Sequence, residues 1–171
     1  MIYYRELPEL DASDLIITTR RYLEKFHSHV LIQPVPFFQV LNLSNFTKYN
    51  PSFGELFNSI GLTPNFVSAL VMHFPHTDIH RDPMIFESSC RINIPILNCE
   101  HSETRFFEML PEKTGQTNIP ESECVMVDKF TLKCPTILKI GHPHQVMMIE
   151  KVYPRISLTV NFRENLSIEW C

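Results

Sequence analysis

The segment Phe74-Pro75-His76-Thr77-Asp78-Ile79-His80-Arg81-Asp82-Pro83 carries the pattern His-x-Asp twice, at His76/Asp78 and at His80/Asp82. In extended chain, residues i and i+2 point to the same side about 6.5–7 Å apart, so an imidazole and a carboxylate can converge on one ion. A single His-x-Asp recurs by chance, and an ion site needs a further donor from elsewhere in the chain. Gly141-His142-Pro143-His144-Gln145-Val146 offers one, at the entry to an expected strand. Six of the eight histidines, His73, His76, His80, His101, His142 and His144, fall between positions 73 and 144. Solvated loop histidines would account for that density as well as a site does.

Arg155-Ile156-Ser157-Leu158-Thr159-Val160-Asn161-Phe162 reads as a strand with Arg155 and Ser157 on one face and Thr159 and Asn161 further along it. A guanidinium fork beside a hydroxyl is a receptor for a carboxylate. Such a pair on a central strand is costly to bury without an anionic partner; the plainer account is a bridge to Glu150 or Glu164. Arg91 and Asn93 likewise share one face of a strand whose other face is Ile92, Ile94 and Ile96. They either touch an acid or a ligand, or form an ordinary surface pair. Arg105 reads as a solvated charge near Glu103 or Glu108. Cys99 and His101 form an isolated Cys-x-His without the second pair a zinc site needs.

These residues need a scaffold. Ser13 can cap a helix running to about His29, with Leu15, Ile16, Tyr22, Leu23 and Phe26 at helical intervals. A second short helix is expected over Gly54–Ile60, ended by Gly61. The pattern then changes to short runs rich in Val, Ile, Phe and Thr: Phe66–Phe74, Cys90–Leu97, Thr104–Met109, Cys124–Val127, Thr136–Ile140, Gln145–Ile149 and Arg155–Phe162. Many short strands preceded by helix point to a β-sandwich or barrel with helices on one side. The expected organisation is a single domain over 1–171, with helical support and first strands in 1–64 and the β core in 65–165. Loops at 43–63 and 110–122 carry no legible pattern.

Composition excludes other classes. The formal net charge of −4 disfavours a nucleic-acid backbone as partner. With 4 glycines against 13 prolines and no G-x-x-x-x-G-K-[ST] or G-x-G-x-x-G, Gly-rich phosphate loops lack support. Five dispersed cysteines without Cys-x-x-Cys argue against a disulfide framework. The opening residues lack the pattern of a signal peptide, and no run approaches the roughly 18 apolar residues of a membrane helix. The expectation is a cytoplasmic chain with no membrane partner.

Taken in order, His80-x-Asp82, Arg91-Ile92-Asn93-Ile94-Pro95-Ile96, His144-Gln145-Val146 and Arg155-Ile156-Ser157 resemble the motifs of iron(II)/2-oxoglutarate-dependent oxygenases, nearest the aspartyl/asparaginyl and prolyl hydroxylase-like branch. The likeness covers residues 70 to 163, and the eleven positions from His144 to Arg155 suit the family's separation of distal ligand and co-substrate arginine. It implies a mainly β double-stranded β-helix, a jelly-roll or cupin-like barrel with one or two N-terminal supporting helices. It also implies Fe(II) on His80, Asp82 and His144, a two-histidine, one-carboxylate triad with open coordination positions. 2-Oxoglutarate would chelate iron, with its distal carboxylate on Arg155 and Ser157. Arg91 and Asn93 would contact the co-substrate or Asp82. O2 would be consumed, the co-substrate decarboxylated to succinate, and an unidentified prime substrate hydroxylated, with a peptide or amino-acid side chain or a small metabolite as the expected class. Within this likeness His80/Asp82 is preferred to His76/Asp78, because Arg91 and its strand follow at the usual spacing. His144 is preferred to His142, which precedes a proline. The alternatives are a non-catalytic cupin-like binding module, or a cupin-type metal enzyme that makes no use of 2-oxoglutarate and hence none of Arg155 and Ser157.

Overall fold

The structure is a computed structural model that describes residues 1–43, 45–46, 50–82, 90–110 and 118–169. Parts of both expected loops, at 44, 47–49 and 111–117, therefore lie outside the described residues. Its elements are β1 (Tyr4–Glu6), α1 (Ser13–Phe26), α2 (His29–Ile32), β2 (Gln39–Asn42), α3 (Ser52–Asn58), β3 (Pro64–Met72), β4 (Cys90–Leu97), β5 (Ser102–Met109), β6 (Cys124–Phe130), β7 (Thr136–Lys139), β8 (His144–Met148) and β9 (Arg155–Phe162).

The strands form two antiparallel sheets, one ordered β1-β7-β4-β9-β3-β2 and the other β6-β5-β8. Single bridges His76↔Met147 and His80↔His144 lay the segment 76–80 beside β8, extending the smaller sheet. From β3 onward the chain passes back and forth between the sheets, β5 and β6 being the one consecutive pair within a sheet. This is the jelly-roll, cupin-like arrangement: a mainly β fold with few helices, as expected.

The larger sheet is covered on both faces, which explains why β9 is buried at all eight positions. One face is apolar: Ile92, Ile94 and Ile96 of β4 and Ile156, Leu158, Val160 and Phe162 of β9 pack with Leu15 and Leu23 of α1 and Phe53 and Phe57 of α3. The Phe57 and Phe162 rings lie 5.1 Å apart. Alternation along the strand sends Arg91, Asn93, Arg155, Ser157, Thr159 and Asn161 to the other side. Leu15, Thr19 and Leu23, one helical face, are the buried residues of α1, and Arg20 Nε donates to the Ile96 carbonyl at 2.6 Å, tying the helix to β4.

Several boundaries differ from expectation for local reasons. Ser13 does not cap α1; its backbone N–H donates to Asp11 Oδ1 at 3.0 Å, and the helix stops at Phe26 before the separate turn α2. α3 begins at Ser52 and ends at Asn58, with Gly61 at φ +76° turning the chain into β3. β1 and β2, too short to show a period, are edge strands of the larger sheet. β6 runs to Phe130, three residues further than its sequence pattern indicates.

Candidate active site

The segment 76–80 is held to β8 by side chains as well as backbone. Thr77 Oγ1 accepts from Val146 N–H at 3.0 Å, and the buried Gln145 amide donates to the Thr77 carbonyl at 2.9 Å. His80 and His144 sit directly opposite each other, each backbone N–H donating to the other's carbonyl. Asp82 N–H in turn donates to the Ile140 carbonyl at 3.1 Å. These bonds bring His80, Asp82 and His144 together, with one possible ligand atom from each lying within 4.8 Å of the others.

Ring orientation follows from a repeated device. His80 Nδ1 lies 2.7 Å from the Asp78 carbonyl and His144 Nδ1 lies 2.9 Å from the His142 carbonyl. A carbonyl only accepts, so both Nδ1 atoms carry a proton, and in the neutral imidazoles both Nε2 atoms present lone pairs. Nε2 of His80 is 3.5 Å from Asp82 Oδ1, and Nε2 of His144 is 3.7 Å from Oδ2. Arg91 Nη1 is 3.2 Å from Oδ2 and anchors the acid from the larger sheet.

Titration behaviour reflects this packing. Burial opposes charge on Asp82, yet His80, His144 and Arg91 outweigh it and hold the carboxyl at about 2. Burial pulls His144 down to about 4. Burial also acts to lower His80, but the Asp82 carboxylate and the Asp78 carbonyl prevail and raise it. A carboxylate and two imidazoles at this spacing could hold a metal ion.

The triad lies on a cavity of about 300 Å³ between the sheets, whose wall includes Arg91, Asn93, Arg155, Asn161, Thr104, Phe106 and Val146. Arg155 is 2% exposed; its Nε donates to Ser102 Oγ at 3.0 Å and its Nη1 to Ser157 Oγ at 3.2 Å. Ser102 Oγ in turn donates a hydrogen bond to the Cys99 carbonyl at 2.8 Å. The two acids that would make Arg155 an ordinary bridge are engaged elsewhere: Glu150 with His101 at 2.9 Å, and Glu164 with Thr63 N–H at 2.7 Å. Among the described residues no carboxylate pairs with Arg155. Arg91, 8% exposed, is likewise not a surface residue.

The remaining expected residues fall outside this cluster. His76 lines an adjoining groove of about 520 Å³ with Pro36, Phe37, Phe38, Phe74, Asp78 and Asn118, and this groove shares His80, Thr77 and Phe38 with the cavity. His142 packs its ring edge-on against Tyr3, leaving its carbonyl to serve His144. Arg105 pairs with Glu103 at 3.1 Å. Cys99 is buried and donates to the Ile156 carbonyl, while His101 faces Glu100 and Glu150 at the surface. Sequence patterns missed Ser102, Thr77 and Phe38. Thr77 is the middle residue of the first His-x-Asp pattern and was within reach; the other two come from distant segments with no local sign.

Fold and site together define a double-stranded β-helix with a possible two-histidine, one-carboxylate metal centre at one end of its cavity. No family profile matches the chain, and no curated protein matches it. Solved structures do. The epimerase SnoN in complex with Fe3+, alpha ketoglutarate and nogalamycin RO superposes with a TM-score of 0.55 at 14% identity, covering 92% of this chain and 77% of SnoN. AviO1 from Streptomyces viridochromogenes Tue57 superposes with a TM-score of 0.60 at 9% identity, covering 95% of this chain and 90% of AviO1. At such identities the likeness establishes the fold. No described helix is long and apolar enough to cross a membrane.

Proposed function

We propose that this chain is a non-haem iron(II) enzyme that uses 2-oxoglutarate and O2 to hydroxylate, or otherwise oxidise by two electrons, a carbon of a small metabolite or an amino-acid side chain. The observation that carries the proposal is one cavity holding the His80–Asp82–His144 cluster and, separately, a buried guanidinium with hydroxyl partners and, among the described residues, no acid. The cluster accounts for a metal, and the guanidinium for a co-substrate with a free carboxylate.

In this proposal His80 Nε2, Asp82 and His144 Nε2 hold the metal, which when bound supplies the oxidative chemistry together with the keto acid and O2. His144, kept uncharged by burial, offers its lone pair without first losing a proton. Arg91 grips Asp82 Oδ2, which restrains the acid to a single orientation. Arg155 and Ser157 receive the distal carboxylate, with Ser102 fixing the plane of the guanidinium. Arg91 and Asn93 lie on the cavity wall, within the co-substrate's surroundings. Phe106 and Val146 keep the wall beside the metal apolar and dry. The groove of Phe37, Phe38 and Phe74 opens at His80 and is the seat we assign to the prime substrate. SnoN, in complex with Fe3+, alpha ketoglutarate and nogalamycin RO, supports the pairing of iron and keto acid on this fold.

The test is anaerobic addition of Fe(II) and then 2-oxoglutarate to the purified protein. A weak visible absorption band appearing only with both components is the expected result. Tight metal binding with no response to 2-oxoglutarate would favour a metal enzyme that does not use the keto acid, and no metal binding would favour a binding module.

A further inference from the structure

Next to the aromatic groove, and sharing His76, Asp78 and Asn118 with it, lies another groove of about 340 Å³ whose wall adds Ile119, Glu121 and Gln145. Backbone pairing builds it. Ile119 N–H donates to the Ile79 carbonyl at 2.8 Å, laying the chain at 119 along one edge of the segment 76–80, while β8 runs along the other. Ile79, Ile119 and Phe107 pack as a buried cluster that fixes these segments against each other.

Gln145 supplies a buried acceptor. It is 3% exposed, and its Nε2 donates to the Thr77 carbonyl at 2.9 Å. A carbonyl only accepts, so this bond decides which way the amide faces and leaves Oε1 without a partner among the described residues. A buried polar atom kept unmet in the wall of a groove points to a ligand that meets it. The ligand must bring a donor.

Charge on the same wall agrees. The Asp78 carbonyl serves His80 Nδ1, and its carboxylate is left to the groove. Neither Asp78 nor Glu121 enters an ion pair among the described residues, and no described Lys or Arg lines either groove. The inner cavity has the opposite make-up, with Arg91, Lys139 and Arg155 against Asp82. An anionic co-substrate is therefore drawn inward, whereas in the outer groove it would face two carboxylates and an unmet acceptor. An ammonium or guanidinium supplies N–H donors to all three. Phe37, Phe38 and Phe74 add apolar rings beside them, whose faces also attract a cation. Volumes of about 520 and 340 Å³ are those of small-molecule sites.

Resting on the oxidation proposed above, we infer that the prime substrate is a small organic cation. Its apolar body sits on Phe37, Phe38 and Phe74, and its amine or guanidine docks on Asp78, Glu121 and Gln145 Oε1. Asp78, Glu121 and Gln145 are specificity-determining residues for that substrate.

The test measures binding by calorimetry, with and without Mn(II) and 2-oxoglutarate, for three probes of matched body: 4-phenylbutylamine, 4-phenylbutan-1-ol and 4-phenylbutanoate. The amine should bind at least about tenfold more tightly than the other two. Asp78→Asn and Glu121→Gln should each weaken the amine by about threefold to fivefold, the scale of one exposed charge pair, and the alcohol by less than about twofold. Phe37→Ala, at an exposed position, should weaken all three probes alike. Melting temperatures of the variants check that the fold is kept, and Glu121→Lys, on an exposed turn, should reverse the preference toward the acid. Equal affinity for the three probes, or an amine preference that survives Asp78→Asn and Glu121→Gln combined, would overturn the cation seat. Tighter binding of the blocked peptide acetyl-Gly-Phe-Lys-Gly-amide than of the free amine would overturn the small-molecule class. A wild-type protein that takes the amine but never 2-oxoglutarate would keep the seat and lose the keto-acid function, so the two failures are told apart.

Discussion

His80 and His144 are cross-strand partners: His80 N–H donates to the His144 carbonyl at 3.0 Å and His144 N–H returns the bond at 2.8 Å. Their ring centroids stand 4.6 Å apart. In an antiparallel pair of this kind both side chains project from the same face. Asp82, two residues beyond His80, follows on that face. A backbone ladder therefore places the two imidazoles of the candidate metal site, and the carbonyls of Asp78 and His142 turn their rings.

It follows that the ligand register is testable by metal binding alone. His80→Ala and Asp82→Ala should each lower Co(II) or Fe(II) affinity by at least about a hundredfold, the scale of losing one of three protein donors. His76→Ala, at the groove, should stay within about twofold. A His76 variant that loses metal while the His80 variant keeps it would move the site.

Arg155→Ala should weaken 2-oxoglutarate by about 30-fold or more, since truncating one partner of a buried charge pair costs about 2–5 kcal/mol. Metal affinity should be unchanged. Ser102→Ala, which removes only the hydroxyl at Nε, should cost about 1 kcal/mol. Calorimetry with and without Mn(II) separates the two quantities, and equal losses of metal and keto acid would contradict the division of the cavity.

The metal-free protein should lose stability between about pH 6.5 and pH 4. His144 is held at about 4 in the fold and titrates near 6.5 when unfolded, so in that window the unfolded chain binds a proton the native state refuses. Its contribution is fully present above the unfolded value and is lost as pH falls through the folded one, on the order of 3 kcal/mol in all. His80, raised rather than lowered, has the opposite sign: its contribution is present below about 6.5 and lost as pH rises through its folded value. Urea midpoints measured across pH, for wild type and His144→Gln, check this; an identical slope between pH 4 and 6.5 in both would refute it.

Leu158 is fully buried in the layer between β9 and the helices. Leu158→Ala should cost about 2–5 kcal/mol by urea unfolding, from lost burial plus the residual cavity. Ile17→Ala on the exposed face of α1, where the side chain is 48% accessible, should change stability by about 0.5 kcal/mol or less. Similar losses at both positions would contradict the packing of the helical layer.

How much of this was legible beforehand depends on range. The alternation of Ile156, Leu158, Val160 and Phe162 with Arg155, Ser157, Thr159 and Asn161 is visible along eight residues, because a strand repeats every two. So are β4, whose ends match its sequence pattern, and the convergence of His80 with Asp82. That both faces of β9 are buried could not be read locally, since a polar face on a strand ordinarily means solvent.

The chain's own pattern was enough to determine which side chains share a face and which residue types were available for metal and carboxylate. Only the tertiary structure decided which of them meet. It put His144 opposite His80 and not His76, gave Asp82 to Arg91, and brought Ser102 to Arg155 across 53 positions of sequence. Local periodicity comes from the geometry of one strand, whereas partnership across a barrel comes from the register of strands that lie far apart in the chain.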